Sequence, residues 1–559
     1  MILIDPKPAT TRRSAFTLVE VMVSIAVALL LLLGVNQVFH ATAVTTGVGL
    51  ALSTSQQMSR TVKSTLQDDL KNGAWDTGIL IIRNEQVYAY RNTADQQSAA
   101  DPNDPSKPDP ALAAAFPGGF YPAYTVNSRS HRVDRIGFFA RGLFDRQTSP
   151  GPMDTVSVQG TEAWIWYGHL ALPNNNVLKS QNRDDWTNPQ QPAQYFGPGV
   201  PNSGNATNDN NFFASDWALG RFATLLLGAS NPTSLAANPD ALQSDLSNSY
   251  VTPLTYDSRS AQVTGGTPDF AHDSMHDIAW ESISHFTAQL AGYVSAGQSP
   301  ASGVPWYYSM IGVAAQQNQV PVADYRYQAS PFIPSVGLDK NSNNTSRISP
   351  TSLALAAPVM ARGCCHFIVE YAGNYLTQVD APTATLSSGI HDGAIISPSP
   401  SPNPDHIDYV SEYDATTGQV TRKIRWYGYP RDTNGYPGIQ YDDVMPLRDV
   451  LSLNGYNMVA PFEQFGAGFP PAPAASVPLT GELHVPGSTL YKNLGNQADC
   501  TYTCAWGPYP PRNGAPPAPL TNWPTYGLPK LLRITVVFDD PNGRLGTEQS
   551  YEYIIDLRN

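Results

Sequence analysis

The chain has 559 residues, which at about 150 residues per domain allows three or four domains. Only 14% of the residues are charged, whereas 49 prolines and 43 glycines make the chain rich in turns. This composition excludes a coiled coil or a helical bundle as the main architecture. The formal net charge of −13 disfavours binding to the phosphate backbone of nucleic acids.

The N-terminal segment is a long uncharged stretch preceded by basic residues. Three basic residues and one acid precede Phe16, and no charged residue occurs from Val21 to Ser59. Residues 16–39 are long enough to cross a bilayer as a helix. The basic residues on one side predict that the N-terminus stays in the cytoplasm and that the rest of the chain is exported. A cleaved secretory signal peptide is the alternative, with the cut after Ala43.

Glu20 is the one carboxylate inside this apolar stretch. Such a group costs a few kcal/mol in a membrane helix unless it has a partner. In one explanation, Thr17 and Glu20 form a capping box at the start of the helix. In the other, a cut after Ala15 turns Phe16 into the N-terminal residue, and its amine in a neighbouring subunit pairs with Glu20. We expect the assembly role, with which the capping box is compatible.

The sequence around Phe16 resembles the type IV prepilin cleavage and methylation motif over the run Arg12-Arg13-Ser14-Ala15-Phe16-Thr17-Leu18-Val19-Glu20. The resemblance implies that residues 1–15 are a leader that prepilin peptidase removes on the cytoplasmic side of the membrane. It also implies that Phe16 is methylated at its new N-terminus and that Glu20 acts in assembly. Ala15 stands where the family usually has glycine, which it replaces with the smallest side chain available.

A second helical pattern follows the membrane segment. Apolar residues recur there every four positions, at Met58, Val62, Leu66 and Leu70. This spacing predicts that residues 40–72 continue the helix and lay an apolar stripe across a sheet. Asp69 lies off this stripe. Residues 41–55 contain two glycines and predict a weaker helix that acts as a flexible joint.

Short runs rich in β-branched and aromatic residues are dispersed through the rest of the chain. They occupy residues 78–82, 86–90, 135–139, 154–158, 162–167, 365–371, 423–428, 531–538 and 549–556. The first two runs predict a hairpin with Arg83-Asn84-Glu85 as its turn. Residues 216–227 and 269–293 are predicted to be inserted helices.

These elements predict an α+β fold in which the long N-terminal helix packs on an antiparallel β-sheet head. The head comprises residues 73–559, with long insertions at about 172–360 and 380–415. The order of elements resembles the J-type minor pseudopilin of type II secretion and the related W-type minor pilins. That resemblance rests on Gln67-Asp68-Asp69-Leu70, on the run from Trp164 to Tyr167, and on the run from Leu528 to Ile534.

Four cysteines occur as two pairs, Cys364 with Cys365 and Cys500 with Cys504. Disulfides suit an exported chain, and we expect two bridges that join the two segments in an undetermined pairing. Free thiols are the alternative. A zinc site built from all four thiolates is disfavoured, because adjacent cysteines do not match the usual spacing of zinc ligands.

No catalytic residue, metal ligand or cofactor site is predicted. His272 and His276 are spaced to share one face of a helix, but the glutamate of the zinc hydrolase motif is absent, which favours a solvated face. The Asn- and Asp-rich runs 208–211 and 339–344 offer oxygen ligands for calcium. Their spacing does not match a calcium-binding loop, so simple turns are the preferred interpretation.

The sequence therefore favours a non-enzymatic minor pilin or pseudopilin subunit at the tip of a type IV pilus or type II secretion pseudopilus. The expected partners are prepilin peptidase, other pilin subunits, the inner-membrane assembly platform and the membrane itself. The expected location is the bacterial inner membrane, with the head periplasmic or, after assembly, extracellular. A pilin-anchored adhesin or carbohydrate-binding protein is the alternative, since 10 tryptophans and 28 tyrosines suit stacking on sugars.

Overall fold

The structure is a computed structural model that describes part of the chain. The described residues are 17–91, 100–101, 104–108, 129–145, 159–170, 172–173, 195–196, 213–226, 255–257, 262–264, 267–268, 276–279, 283–284, 287, 359–380, 392–414, 419–429, 444–456, 462–465, 501–507, 526–540, 543–545 and 547–558.

One continuous helix, α1 (Leu18–Lys71), makes up the N-terminal part. Its regular backbone runs through residues 41–55, which confirms a helix there, while the predicted flexibility of this stretch stays a prediction. Val62, Leu66 and Leu70 are almost completely buried in the main core, as their four-residue spacing predicts. Asn72 caps the C-terminal end of the helix through its backbone N–H, which bonds back to the last turn.

Within the described residues, the head consists mainly of strands and includes the short helix α2 (Leu447–Leu453). The strands of its first half are β1 (Leu80–Ala89), β2 (Ala100–Asp101), β3 (Asp104–Pro108), β4 (Arg129–Arg132), β5 (Arg135–Asp145), β6 (Gln159–His169), β7 (Leu172–Pro173), β8 (Tyr195–Phe196), β9 (Ala218–Leu226), β10 (Thr255–Asp257), β11 (Gln262–Thr264), β12 (Thr267–Pro268) and β13 (His276–Ala279). Those of the second half are β14 (Val359–Arg362), β15 (Cys364–Ala372), β16 (Thr377–Gln378), β17 (Ile395–Ser397), β18 (Tyr409–Asp414), β19 (Gln419–Ile424), β20 (Glu463–Phe465), β21 (Thr501–Trp506), β22 (Leu531–Phe538) and β23 (Gln549–Asp556).

The largest sheet has the strand order β12-β13-β9-β6-β5-β1-β21-β20, with β14 also paired to β9 and β4 also paired to β1. Its described strand pairs are antiparallel except for β9 with β13. A second sheet has the order β15-β22-β23 and carries the C-terminal strands. Helix α1 packs its apolar stripe into a core shared by both sheets. The predicted α+β fold is therefore confirmed.

The predicted hairpin at residues 78–90 is wrong, because these residues form the single strand β1. The intended turn residues have buried side chains, with Arg83 at 4%, Asn84 at 0% and Glu85 at 9% exposure. Asn84 donates to the Asp134 carboxylate at 2.6 Å and to the Val369 carbonyl at 2.8 Å. These tertiary bonds satisfy a polar side chain inside the sheet that would otherwise favour a turn.

Asp134 joins the two sheets at one buried point. Its carboxylate accepts two bonds from the Arg132 guanidinium, at 3.0 and 2.7 Å, and one from the Val369 N–H at 2.8 Å. The backbone N–H of Asp134 itself donates to the Phe367 carbonyl of β15 at 3.0 Å. Since the buried charge is paired and hydrogen-bonded on several sides, its burial is tolerated.

The predicted insertion at residues 172–360 also contributes to the main sheet. Ala218–Leu226 is strand β9, so the helix predicted for residues 216–227 is wrong. Its pairing with β6 brings Phe222 opposite Trp166, and alternate residues such as Leu219 and Ala223 enter the core. The strand partner outweighs the local helical propensity of this run. The insertion boundaries remain a prediction, and residues 154–158 lie outside the described residues.

Candidate assembly helix

The N-terminal end of α1 carries a complete capping box. The Thr17 hydroxyl accepts the Glu20 N–H at 3.3 Å, while the Glu20 carboxylate accepts the Thr17 N–H at 2.9 Å. The Thr17 hydroxyl also donates to Glu20 at 3.1 Å. Two backbone N–H groups that have no partner inside the helix are thereby satisfied. The local explanation for Glu20 is thus present in the structure, and the carboxylate remains solvent-exposed for a second partner.

The first half of α1 is apolar on every side and stands free of the head. Residues 17–46 are all exposed, including the long leucine run of residues 29–33, whose members are 60–71% exposed. Within the described residues, α1 is the one helix that is long and apolar enough to cross a membrane. An apolar surface of this length on a single helix requires lipid or other helices to cover it.

The second half of α1 is fixed to the head by polar contacts as well as by its apolar stripe. Asp69 is 7% exposed, and its carboxylate accepts two bonds from the Arg221 guanidinium, at 2.6 and 2.8 Å. The Tyr167 hydroxyl donates to the same carboxylate. Burial, with the Asp69 charge beside it, raises the pKa of Tyr167 well above its ordinary value, so the phenol remains a donor.

A second polar contact lies about three to four turns earlier along α1. Ser55 and Tyr551 share a hydrogen bond of 3.2 Å, and the Tyr553 hydroxyl bonds both the Ser59 side chain and its carbonyl. These contacts tie the helix to the edge strand β23. The sequence analysis did not identify Asp69 as an anchor. A carboxylate off the apolar stripe looks like a solvated residue, and its partner Arg221 lies 152 positions further along the chain.

Only some of the site residues predicted from the sequence lie within the described part of the structure. Thr17 and Glu20 meet as described, whereas Ala15 and Phe16 lie outside the described residues. His276 lies on strand β13, so it does not share a helix face with His272, which is itself outside the described residues. The two Asn- and Asp-rich runs at 208–211 and 339–344 also fall outside.

The predicted pair of disulfides is wrong, since Cys364, Cys365 and Cys504 are free thiols. Cys364 and Cys365 lie on β15 of the second sheet, whereas Cys504 lies on β21 of the main sheet. The Cys504 thiol donates to the Tyr371 hydroxyl at 3.4 Å instead. Burial raises the pKa of each of these thiols, which keeps them protonated in the absence of a metal. Cys500 lies outside the described residues.

One set of metal-ligand side chains comes together in the head. His131, Cys365 and His366 are buried, and they place one ligand atom each within 4.8 Å of the others. Sequence reasoning missed this group, because its signal was a histidine directly after the paired cysteines, while the second histidine lies 234 positions before Cys365.

Comparison with known proteins identifies a family motif in the N-terminal segment. Residues 10–36 match the family model of the prokaryotic N-terminal methylation motif. No curated protein and no solved structure was found that matches the chain significantly. The motif makes the chain a type IV prepilin-like protein. It implies processing by prepilin peptidase, anchoring in the inner membrane through the apolar helix, and assembly with other pilin-like subunits.

Proposed function

We propose that this chain is a non-enzymatic minor pilin or pseudopilin subunit. The observation that supports the proposal most is the division of α1 into two parts. Residues 17–46 are exposed and apolar, as a helix needs to be when it moves from the bilayer into a bundle of like helices. From Ala51 onward the helix is fixed to the head, so a movement of the membrane segment carries the head with it.

The size of the head supports a low-copy position at the tip of the filament. The residues that follow α1, 73–559, exceed α1 several times in length. If every helix of a thin shaft carried such a head, neighbouring heads would compete for the same space. At the tip, only one side of the helix bundle has to accommodate the head.

Glu20 acts in docking the subunit, in this proposal. Cleavage after Ala15 gives Phe16 a positively charged amine near the membrane surface. The Glu20 carboxylate of one subunit and the Phe16 amine of its neighbour then neutralise each other in the apolar interior of the bundle. A pair that replaces two isolated charges in low dielectric is strongly favoured over either charge alone.

Two variants separate the assembly role of Glu20 from its capping role. Glu20→Gln keeps an oxygen that accepts the Thr17 N–H but removes the charge that would pair with the amine. Thr17→Ala removes the hydroxyl of the capping box but keeps the charge. We expect Glu20→Gln to insert normally and to be lost from sheared or purified filaments, while Thr17→Ala assembles. Normal incorporation of Glu20→Gln together with loss of Thr17→Ala would show that capping alone explains the residue.

Mass spectrometry of the N-terminus tests the processing step itself. The protein isolated from membranes is expected to begin at a methylated Phe16. Replacing Phe16 by alanine provides a control for the modified residue, and Ala15→Gly is expected to be cut at least as well as the natural sequence. A mature protein that begins near residue 44 would mean that the apolar helix is discarded, and the proposal would fail.

Crosslinking in native membranes identifies the machine that the subunit serves. A photo-reactive residue at an exposed position of the first half of α1, such as Leu31, should capture neighbouring pilin helices. A second probe on the exposed face of the head, such as Glu412, should capture few partners if the head sits at a tip. Repeated crosslinks between identical heads would contradict the tip position.

A further inference from the structure

Three side chains of the types that bind soft metal ions meet between β4 and β15. His131 lies on β4, and Cys365 and His366 are neighbours on β15. Each is at most 2% exposed, and one ligand atom of each lies within 4.8 Å of those of the other two. In the part of the chain that the structure describes, no further histidine, cysteine or carboxylate belongs to this group. The group therefore offers three buried ligands.

A β-bulge explains how two neighbours in one strand reach the same side. Adjacent residues of a regular strand point to opposite faces. The register between β15 and β22 shifts between Cys364 and His366, which leaves Cys365 as the extra residue. Bulges re-aim side chains and are over-represented next to functional sites. Here the bulge lets both Cys365 and His366 turn toward His131.

Backbone groups hold both imidazole rings in place. The Cys365 carbonyl lies 3.2 Å from His131 Nδ1, and because a carbonyl only accepts, Nδ1 carries the proton and Nε2 the lone pair. Metal-binding histidines commonly donate their other nitrogen to a backbone carbonyl in this way. His366 accepts the Arg132 N–H at Nδ1, 3.1 Å away. An ion bound through this nitrogen would displace the Arg132 amide, which opposes binding unless the amide finds another acceptor.

The ligand set favours cuprous copper over zinc. Thiolate and imidazole suit Cu(I), whereas structural zinc sites are almost always four-coordinate and this group supplies three ligand atoms. One thiolate and two neutral imidazoles carry a single negative charge, so a monovalent ion gives a neutral buried complex. A divalent ion would leave an uncompensated positive charge among these three ligands, which burial disfavours.

To bind an ion, the three ligand atoms need to move only slightly closer together. The centre of a triangle with sides of 4.8 Å lies about 2.8 Å from each corner, and metal bonds to nitrogen and sulfur are about 2.0–2.3 Å long. Each ligand atom thus moves inward by less than about 1 Å, which a side-chain rotation supplies.

We propose that His131, Cys365 and His366 form a buried Cu(I) site in the head. The Cys365 thiol donates to the Val537 carbonyl, with 3.4 Å between sulfur and oxygen. When Cu(I) binds, the S–H bond breaks, the proton leaves to solvent and the thiolate forms the bond to copper. The oxidation state of copper does not change. If Cys365 is only a buried thiol satisfied by this hydrogen bond, the protein binds no copper.

The test uses the full-length, reduced protein in detergent, titrated anaerobically with Cu(I) against a chromophoric chelator. We expect one equivalent of copper to be bound, and X-ray absorption to find one sulfur and two nitrogens around it. Copper should also raise the melting temperature by mass action. The proposal is overturned by the absence of stoichiometric binding or by two or more sulfurs around the ion. Stoichiometric binding of Zn²⁺ with Cu(I) excluded would overturn the choice of ion.

Matched variants assign the ligands. His131→Gln and Cys365→Ser each remove one ligand and should weaken Cu(I) binding by more than about 100-fold, beyond the 10–100-fold typical of residues that only orient a ligand. Cys504→Ser alters a buried thiol elsewhere and should bind like the natural protein. Circular dichroism identifies any variant that fails to fold, in which case X-ray absorption on the natural protein decides. Unchanged affinity in a folded His131→Gln protein would refute the site.

Discussion

Replacing Asp69 by asparagine should loosen the attachment of α1 to the head. The carboxylate is the common acceptor for the Arg221 guanidinium and the Tyr167 hydroxyl, and its side chain is 10% exposed. Asparagine keeps one oxygen of nearly the same shape but removes the charge. The variant therefore tests the charge of the contact with little change in packing.

The loss of stability in Asp69→Asn depends on the Arg221 charge, which stays buried without its partner. Removing one partner of a buried ion pair costs about 3–5 kcal/mol, because the other charge stays buried without compensation. The Arg221 side chain is 21% exposed, so water offsets part of this loss. We expect the free energy of unfolding to fall by about 2–3 kcal/mol, at or just below the low end of that range, because Arg221 is partly solvated.

Denaturant titration of the full-length protein in detergent, followed by tryptophan fluorescence, measures this loss. Asp68→Asn is the matched control, because Asp68 is the exposed neighbour in the same turn and should cost little. The double variant Asp69→Asn with Arg221→Gln removes the second charge too, and it should recover part of the lost stability. Equal midpoints for Asp69→Asn and Asp68→Asn would show that this ion pair does not hold the helix.

Three further predictions concern the core and its pH dependence. Leu66→Ala empties a fully buried position of the α1 stripe and should cost about 2–5 kcal/mol of unfolding free energy in the same titration. Gly137→Ala would place a Cβ in steric clash with the Trp164 ring and should lower the melting temperature, whereas Gly527→Ala, with open space around it, should not. Burial lowers the pKa of His169 from 6.5 to about 4, so between these values the unfolded chain binds the additional proton. Stability should be full above pH 6.5 and fall by up to about 3 kcal/mol as the pH drops to 4, and His169→Gln should flatten that slope.

The sequence alone was sufficient for features whose causes lie within a few turns of one helix. The capping box needs only Thr17 and Glu20, three positions apart, and the membrane segment needs only an unbroken apolar run. The buried stripe of α1 follows from a four-residue period, since residues at that spacing share a helix face. The C-terminal strands β22 and β23 were also predicted with their observed bounds, because the turn that joins them is local.

The tertiary structure decided whatever depends on a partner far away in the chain. Arg83-Asn84-Glu85 contains residues typical of a turn, yet Asn84 is held in a strand by acceptors 50 and 285 positions further along. Asp69 is buried because Arg221 meets it, and the Cys504 thiol donates to the hydroxyl of Tyr371, 133 positions away, instead of forming the predicted bridge. Local propensity differs by about 1 kcal/mol per residue at most, whereas a buried polar group left without its partner costs more than that. The long-range partner therefore decides the local structure, and a short window of sequence does not include that partner.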